Sequence, residues 1–189
     1  MKIGCVVMAA GMGTRFGGNK LLREWRGKSL IRRALEAVPS EQLSGVVVVT
    51  QYPPIAALAA EFRFTPIENH HPECGQSHSL RLGLDALRSC DALLFQVADQ
   101  PLLRRESVAA LIDLYRQHPD CIAALGHAGQ RGNPCIFPAR LFPELLQIEG
   151  DRGGSVVIRQ HERELLLWEV PACELVDVDT ADTLEQLTT

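Results

Sequence analysis

The alternation of apolar runs with helix-like segments constrains the fold more than any other feature of the sequence. Apolar runs at 3–8, 45–50 and 92–98, and a weaker one at 63–68, are separated by segments with helical spacing or helix-start signals at 29–38, 53–61 and 77–88. Strands that are apolar throughout and alternate with helices indicate a parallel sheet covered on both faces. We therefore predict an α/β fold in which the first hundred residues run β-α-β-α-β-α-β.

The second half of the chain continues the pattern less regularly. The predicted helices lie near 105–118, 139–148 and 153–161, with a short last helix after Thr180, and the predicted strands near 121–125, 134–137, 165–170 and 174–178. No stretch is long and polar enough to separate two domains, so we expect residues 1–189 to form one domain.

Composition excludes several classes of protein. Hydrophobic residues make up 46% and charged residues 22% of the 189 residues, which is typical of a globular protein, and the net charge of −4 argues against a nucleic-acid partner. The six cysteines form no CxxC pair, so a zinc ribbon is not expected. The N-terminal apolar run is too short to span a membrane, so we expect no membrane partner and a cytoplasmic location.

Residues 9–20, AAGMGTRFGGNK, follow the first predicted strand and combine four glycines with Arg15 and Lys20. A glycine-rich turn brings backbone N–H groups close to an anion, and two cations favour a triphosphate. Phe16 replaces the third glycine of a dinucleotide fingerprint, and Leu21 follows Lys20 where a Walker A loop needs Ser or Thr. The alternative is a surface loop with solvated charges, which the position after a buried strand disfavours.

The segment ADQP at 98–101 follows the strand predicted at 92–98. A carboxylate at the carboxyl end of a strand lies where ligands bind in parallel sheets, and Mg²⁺ is held by one or two carboxylates together with substrate phosphates. An aspartate before proline is otherwise an ordinary turn residue. Position favours the metal interpretation for Asp99.

The glycine-rich loop resembles that of nucleotidyltransferases related to the molybdopterin cytidylyl- and guanylyltransferases. The matching residues are Ala9, Ala10, Gly11, Gly13, Arg15, Gly17, Lys20 and Leu21. The resemblance implies a single Rossmann-like three-layer NTP-transferase domain with a mostly parallel sheet, of the nucleotide-diphospho-sugar transferase type. It also implies that Ala9, Ala10, Gly11 and Gly13 bind the nucleotide, and that Lys20 and Arg15 are catalytic.

Two further segments resemble elements of this family at the nucleotide and metal. GQSHSL at 75–80 implies nucleotide contacts by Gln76, Ser77 and Ser79, although Ser77 or Ser79 could instead cap a helix. A D-x-P element and the DVDTADTL stretch at 177–184 imply metal ligation by Asp99 and Asp179, with Asp177 as the second choice to Asp179. Capping of the last helix would also explain these C-terminal acids.

A third segment implies the acceptor site. Gly132, Pro134, Phe137, Leu145, Gly150, Asp151 and Gly153 match the family pattern. By resemblance, Gly132, Asn133, Pro134 and Asp151 contact the acceptor. Related cytidylyltransferases often continue with Ala-Arg where this chain has Gly154 and Ser155. The family's phosphate contact from that arginine would have to come from another residue here, and Arg152 and Arg159 are the alternatives.

These resemblances imply an Mg²⁺-dependent transfer of CMP from CTP to molybdopterin or molybdenum cofactor, with a molybdoenzyme as a possible recipient of the product. The Ala-Ala-Gly start of the loop resembles the cytidylyl enzymes, whereas guanylyl enzymes more often begin Gly-Gly. The alternatives are a nucleotidyltransferase for a sugar phosphate or another phosphorylated acceptor, using CTP or another NTP, and a non-catalytic chaperone that binds molybdenum cofactor. A nicotinamide oxidoreductase is disfavoured by Phe16.

Overall fold

The computed structural model describes residues 1–13 and 19–187, and its centre is a seven-stranded sheet with helices on both faces. The sheet strands are β1 (Ile3–Ala9), β4 (Gly45–Thr50), β5 (Thr65–Glu68), β6 (Ala92–Val97), β7 (Ile122–His127), β8 (Gln130–Pro138) and β9 (Leu165–Glu169), and a separate hairpin consists of β2 (Glu24–Trp25) and β3 (Lys28–Ser29). The helices are α1 (Leu30–Glu36), α2 (Pro53–Glu61), α3 (Gln76–Ala86), α4 (Arg105–Gln117), α5 (Phe142–Leu146), α6 (Ser155–Gln160) and α7 (Ala181–Gln186).

The strand order is β5-β4-β1-β6-β8-β7-β9. β1 pairs in parallel with β4 on one side and β6 on the other, and β8 runs antiparallel to both β6 and β7. This confirms the predicted single α/β domain with a mostly parallel sheet. The chain adds β4 and β5 on one side of β1 and then returns to place β6 on the other side. The topological switch point therefore lies between β1 and β6, and ligands bind in such folds at the carboxyl ends of the strands there.

Two apolar clusters cover the sheet. One face packs against α1, α2 and α4, where Ile31, Ile55 and Leu111 are fully buried. The other face packs against α3, α5 and α6, with Leu84 and Leu145 in its centre. Helices on both faces of the sheet confirm the predicted three-layer arrangement. No helix among the described residues is long and apolar enough to cross a bilayer.

The strand predicted at 174–178 is wrong. The structure has a 3-10 turn at Ala172–Leu175, and the residues after it pair with no strand. Glu174 is buried, and its carboxylate accepts a hydrogen bond from the backbone N–H of Arg104 at 3.1 Å. The apolar residues of this segment therefore pack between loops. An alternation of apolar and polar residues does not distinguish such a segment from a strand.

Gly83 allows α3 to lie directly against β1. A Cβ at this position would sit 2.9 Å from Val6 Cγ2 and closer still to Val6 Cγ1. We expect Gly83→Ala to lower the free energy of unfolding by about 1–3 kcal/mol, because a well-packed core must shift to admit the added methyl group. Urea titration followed by circular dichroism measures the change.

The matched variant is Gly83→Ala combined with Val6→Ala, which removes the two methyl groups that the new Cβ meets. The double variant should lose less stability than the sum of the two single losses. Simple additivity would show that the approach of α3 to β1 is not what makes glycine necessary.

His161 directly follows α6 and contacts Glu144 of α5, on the face of the sheet that α3, α5 and α6 cover. Its Nε2 lies 2.9 Å from Glu144 and its Nδ1 3.1 Å from Glu164, which also pairs with Arg140. The hydrogen bonds to Glu164 and then Glu144 raise the pKa of His161 above its usual 6.5. The folded protein therefore holds this proton more tightly than the unfolded chain does.

The stabilising contribution of His161 should be complete below pH 6.5 and should be lost as the pH rises through its higher folded pKa. Urea midpoints of the wild type and of His161→Gln, measured on both sides of this window, test the sign. The difference between the two proteins should shrink at the higher pH, and a difference that grows would contradict the assignment.

Candidate active site

Three charged side chains from distant parts of the chain converge at the carboxyl edge of the sheet. Lys20 Nζ lies 2.7 Å from Asp99 Oδ2 and 3.0 Å from Asp179 Oδ1. Asp99 follows β6, and Asp179 directly precedes the N-cap of α7, Thr180. The structure thus brings together the predicted catalytic lysine and both predicted metal ligands.

Local structure holds each of these residues in place. Lys20 begins a 3-10 turn whose N-cap, Asn19, accepts a hydrogen bond from the backbone N–H of Leu21 at 3.0 Å. The backbone N–H of Val178 donates to the carbonyl of Asp99 at 2.9 Å and so fixes the C-terminal segment against the end of β6. Val178 is itself fully buried against Trp25 of the β2–β3 hairpin.

Lys20 carries its charge in this setting. Partial burial alone would lower the pKa of Lys20, but the charges and hydrogen bonds of Asp99 and Asp179 outweigh burial, so that the pKa is raised. A protonated ammonium group between two carboxylates removes the repulsion between them. It also gives this edge of the sheet a fixed positive charge, which is the kind of group that binds phosphate oxygens.

Asp99 also offers an atom to a cation. Its Oδ1 is buried and has no hydrogen-bond partner within the described residues, whereas its Oδ2 contacts Lys20. The described part of the chain contains no group of three or more His, Cys, Asp or Glu side chains that could hold a metal by itself. A pair of carboxylates completed by substrate phosphates is the arrangement that Mg²⁺ commonly uses, and these residues fit it.

The geometry distinguishes Asp179 from Asp177 as the partner of Asp99. The Asp177 carboxylate accepts a hydrogen bond from Gln100 Nε2 at 2.9 Å. Burial, followed by the nearby charge of Asp99, raises the pKa of Asp177. Asp179 instead lines the same cavity as Asp99, and its role as a metal ligand stays a prediction.

A cavity of about 580 Å³ opens beside Lys20, and we refer to it as the nucleotide-side cavity. Its walls include Ala10, Gly11, Gly13, Lys20, Gln76, Ser79, Asp99, Asp151 and Asp179. Most of the residues predicted to bind nucleotide or metal therefore share one space. Ala9 is fully buried in β1, and Arg15 lies outside the described residues, so its role stays a prediction.

Two residues that the sequence analysis missed hold the start of the glycine-rich loop. Gln51 Nε2 donates to the carbonyl of Ala10 at 2.8 Å, and the Tyr52 hydroxyl donates to the carbonyl of Gly11 at 3.0 Å. Both residues directly follow β4, which is the neighbour of β1. Their position at the carboxyl end of a parallel strand is the signal that could have identified them.

The predicted capping of α3 by Ser77 or Ser79 is wrong. The N-cap is Gly75, and the N–H groups of Gln76 and Ser77 donate to Asp151 Oδ1 at 3.3 Å and to the carbonyl of Gly150 at 3.2 Å. Ser77 is fully buried, and its hydroxyl has no partner among the described residues. A distant segment therefore provides the cap that the serines were expected to provide.

The other predicted nucleotide contact in this helix, Ser79, has a second neighbour. Its hydroxyl oxygen accepts a hydrogen bond from Asn69 Nδ2 at 2.9 Å, and Ser79 still lines the nucleotide-side cavity. Asn69 is buried and follows β5. Asn69 thus holds the hydroxyl of a residue that lines this cavity.

A second cavity of about 500 Å³ lies next to the first, and we refer to it as the acceptor-side cavity. Gly132 and Asn133 line it, together with Arg131, Ser155, Ile158 and Asp177, and their contact with an acceptor stays a prediction. Asp151 lines the nucleotide-side cavity instead, and its contact with an acceptor also stays a prediction. Pro134 follows a cis peptide bond and is absent from the described lining of both cavities.

Comparison with known proteins identifies related sequences over most of the chain. The family model described as MobA-like NTP transferase domain matches residues 5–165. Purine catabolism protein PucB of Bacillus subtilis strain 168 is 26% identical over 96% of this chain and 94% of its own length. Molybdenum cofactor guanylyltransferase of Shewanella sp. strain MR-4 is 30% identical over 72% of this chain and 68% of its own length.

Other relatives are longer. Bifunctional protein GlmU of Desulfitobacterium hafniense strain Y51 is 27% identical over 60% of this chain, which spans only 25% of that protein. Among solved structures, Rv0371c of Mycobacterium tuberculosis H37Rv in complex with manganese has a TM-score of 0.76 and 22% identity, and the match covers 99% of this chain and 98% of that one. This structural likeness supports the fold.

Divalent metal binding should depend on Asp99 and Asp179 rather than on Asp177. We expect Asp99→Asn and Asp179→Asn each to weaken Mn²⁺ binding in the presence of CTP by at least about tenfold, or about 1.4 kcal/mol, because each removes one anionic ligand. Electron paramagnetic resonance of free Mn²⁺ measures the affinity.

Asp177→Asn is the matched control, because the side chain keeps its shape and Gln100 keeps a hydrogen-bond partner. It should stay within about threefold of the wild type, or less than about 0.7 kcal/mol. A larger loss in Asp177→Asn than in Asp179→Asn would reverse the assignment.

Proposed function

We propose, from the premise that the chain belongs to the MobA-like NTP transferase domain family, that it transfers CMP from CTP to molybdenum cofactor or molybdopterin and releases pyrophosphate. The chain is a nucleotidyltransferase of that family, and the proposal names its two substrates. The observation that carries it is the contact of Lys20 with both Asp99 and Asp179 in the wall of the nucleotide-side cavity.

The proposed reaction requires the protein to position the reacting groups and does not require a covalent bond to the protein. An oxygen of the acceptor phosphate attacks the α-phosphorus of CTP, the bond from that phosphorus to the bridging oxygen breaks, and pyrophosphate leaves with the electron pair. A phosphate acceptor is already ionised at neutral pH, so no general base is needed. The chain binds the triphosphate through the start of the glycine-rich loop and stabilises the developing charge through Lys20.

The metal of the reaction would be held by Asp99 and Asp179, and we propose Mg²⁺. When bound, the ion supplies positive charge to the phosphate oxygens. The buried Asp99 Oδ1 without a partner supports this choice of ligand. With the metal present, Lys20 would be free to turn from the carboxylates to the phosphates, and Arg15 is the second cation that we propose for them.

The choice of CTP rests on the loop sequence and on the space near it. Ala10 lines the nucleotide-side cavity, and its side chain leaves less room for a purine base than the glycine that guanylyl enzymes more often have. GTP is the second candidate, because the relative from Shewanella is a molybdenum cofactor guanylyltransferase. Measuring all four NTPs separates these two possibilities.

The choice of acceptor rests on the neighbouring cavity. Apolar and aromatic side chains, including Phe137, Ile158 and Leu175, form part of the acceptor-side cavity, and Arg131 and Asn133 form another part. Such a mixture suits a flat heterocycle that carries a phosphate. A sugar phosphate is the alternative acceptor, and binding of molybdenum cofactor without catalysis is the alternative function.

Pyrophosphate release tests the proposal directly. We expect release with CTP and Mg²⁺ only when molybdenum cofactor is added, and a weaker reaction with GTP, ATP and UTP. Release with a sugar phosphate as acceptor would favour the alternative transferase, and cofactor binding without pyrophosphate would favour the chaperone.

Lys20→Ala should lower kcat/KM by about 10²–10³-fold, which corresponds to about 2.7–4 kcal/mol, because it removes a charged donor to the transition state. Lys20→Arg keeps the charge and should recover part of the activity. Thermal unfolding of each variant controls for loss of structure, and a Lys20→Ala protein that folds normally and turns over at the wild-type rate would contradict the assigned role.

A further inference from the structure

The two cavities meet at a wall that contains one polar side chain. Among the described residues, Met8, Gln76 and Val97 line both the nucleotide-side and the acceptor-side cavity. Met8 belongs to β1 and Val97 to β6, the two strands on either side of the topological switch point. Gln76 is the first residue of α3, and its terminal amide is the polar group of this wall.

The amide of Gln76 is available to a ligand. Its backbone N–H donates to Asp151, but its side-chain amide has no hydrogen-bond partner within the described residues. The residue is exposed on the cavity side of the helix. An amide that lies between two substrate spaces can donate to an oxygen that both substrates share.

Gly153 determines where this amide lies. A Cβ at position 153 would sit 2.5 Å from Gln76 Oε1 and 3.1 Å from Gln76 Cδ, and all three of its nearest atoms belong to that side chain. The backbone at Gly153 is not in the left-handed region, so alanine is compatible with its conformation. Because residue 153 is a glycine, the end of the Gln76 side chain can occupy the space beside it that a Cβ would otherwise restrict.

From this geometry we propose that Gln76 is a catalytic residue whose side-chain amide donates a hydrogen bond to the transferred phosphoryl group, and that Gly153 positions it. The assignment rests on the proposed nucleotidyl transfer. The α-phosphorus stays attached to the nucleoside and exchanges its bond to pyrophosphate for a bond to the acceptor oxygen, so it reacts where the two cavities meet, and Gln76 is the polar side chain that faces both. Its contribution is to hold the α-phosphate in line with the attacking oxygen.

The kinetic test uses Gln76→Ala, Gln76→Glu and Gly153→Ala. We expect each to lower kcat by about 10²-fold, since a small misplacement of the reacting groups has an effect of that size, while KM for CTP changes by less than about threefold. Gln76→Glu keeps the shape but places an oxygen where the donor was, so it should be at least as impaired as Gln76→Ala.

Gly153→Ala leaves Gln76 in the chain and displaces only its amide. The double variant Gln76→Ala with Gly153→Ala should therefore lose no more than the single Gln76→Ala variant, because both act on the same group. Gly45→Ala is the matched control, because it adds a Cβ near Leu87 at the start of β4, at the amino edge of the sheet. Its kcat should be unchanged.

A second measurement separates this inference from the proposed function. The side-chain amide signal of Gln76 in a ¹H–¹⁵N spectrum, assigned by its loss in Gln76→Glu, should shift on addition of CTP with Mg²⁺ and shift again when inorganic phosphate is added. In Gly153→Ala both shifts should diminish.

If the wild type releases no pyrophosphate with any NTP and acceptor, but the signal responds to both probes, the proposed function is wrong and the shared position of Gln76 stands. If the enzyme is active and Gln76→Ala changes only KM or nothing, the assignment of Gln76 is wrong and the function stands. Additive losses in the double variant, or a signal that responds to neither probe, would also overturn it.

Discussion

The contact of one lysine with two aspartates is the interaction on which the rest of the site depends. Lys20 and Asp179 are 159 residues apart in sequence, and their side chains meet at 3.0 Å beside Asp99. Two carboxylates this close repel each other unless a cation lies between them. Lys20 meets this requirement in the structure, and in the proposed reaction a divalent metal held by Asp99 and Asp179 would take over the same role and leave the ammonium group free for phosphate.

The C-terminal segment reaches this point because of a small element that lies away from the sheet. The β2–β3 hairpin places Trp25 next to Leu30, and Val178 completes this buried group. The hydrogen bond from Val178 N–H to the Asp99 carbonyl then sets the position of Asp179 one residue later. Burial of one apolar residue and one backbone hydrogen bond thus determine where a charged group at the other end of the chain lies.

The sequence predicted those parts of the structure that depend on local pattern. β1, β4 and β6 are mostly apolar because both faces of a parallel sheet are covered, and each was located to within about a residue. The positions of Lys20 and Asp99 followed from the rule that ligands bind at the carboxyl ends of such strands. The errors involve long-range contacts: the cap of α3 comes from Asp151, and Glu174 is buried in a loop instead of lying on a strand. No local pattern reports a partner 75 residues away.

The division of the site into two cavities has a consequence for how it can work. The two cavities have largely separate walls, so in the proposed reaction the binding of nucleotide and the binding of acceptor could each be changed without the other. Rate acceleration, in contrast, depends on interactions that are stronger in the transition state than with either substrate alone. In the proposed mechanism, Lys20 supplies such an interaction from the nucleotide-side cavity, and groups that face both cavities can add to it. Such groups are few among the described residues, because Met8 of β1 and Val97 of β6 are apolar and Gln76 at the start of α3 is the polar one.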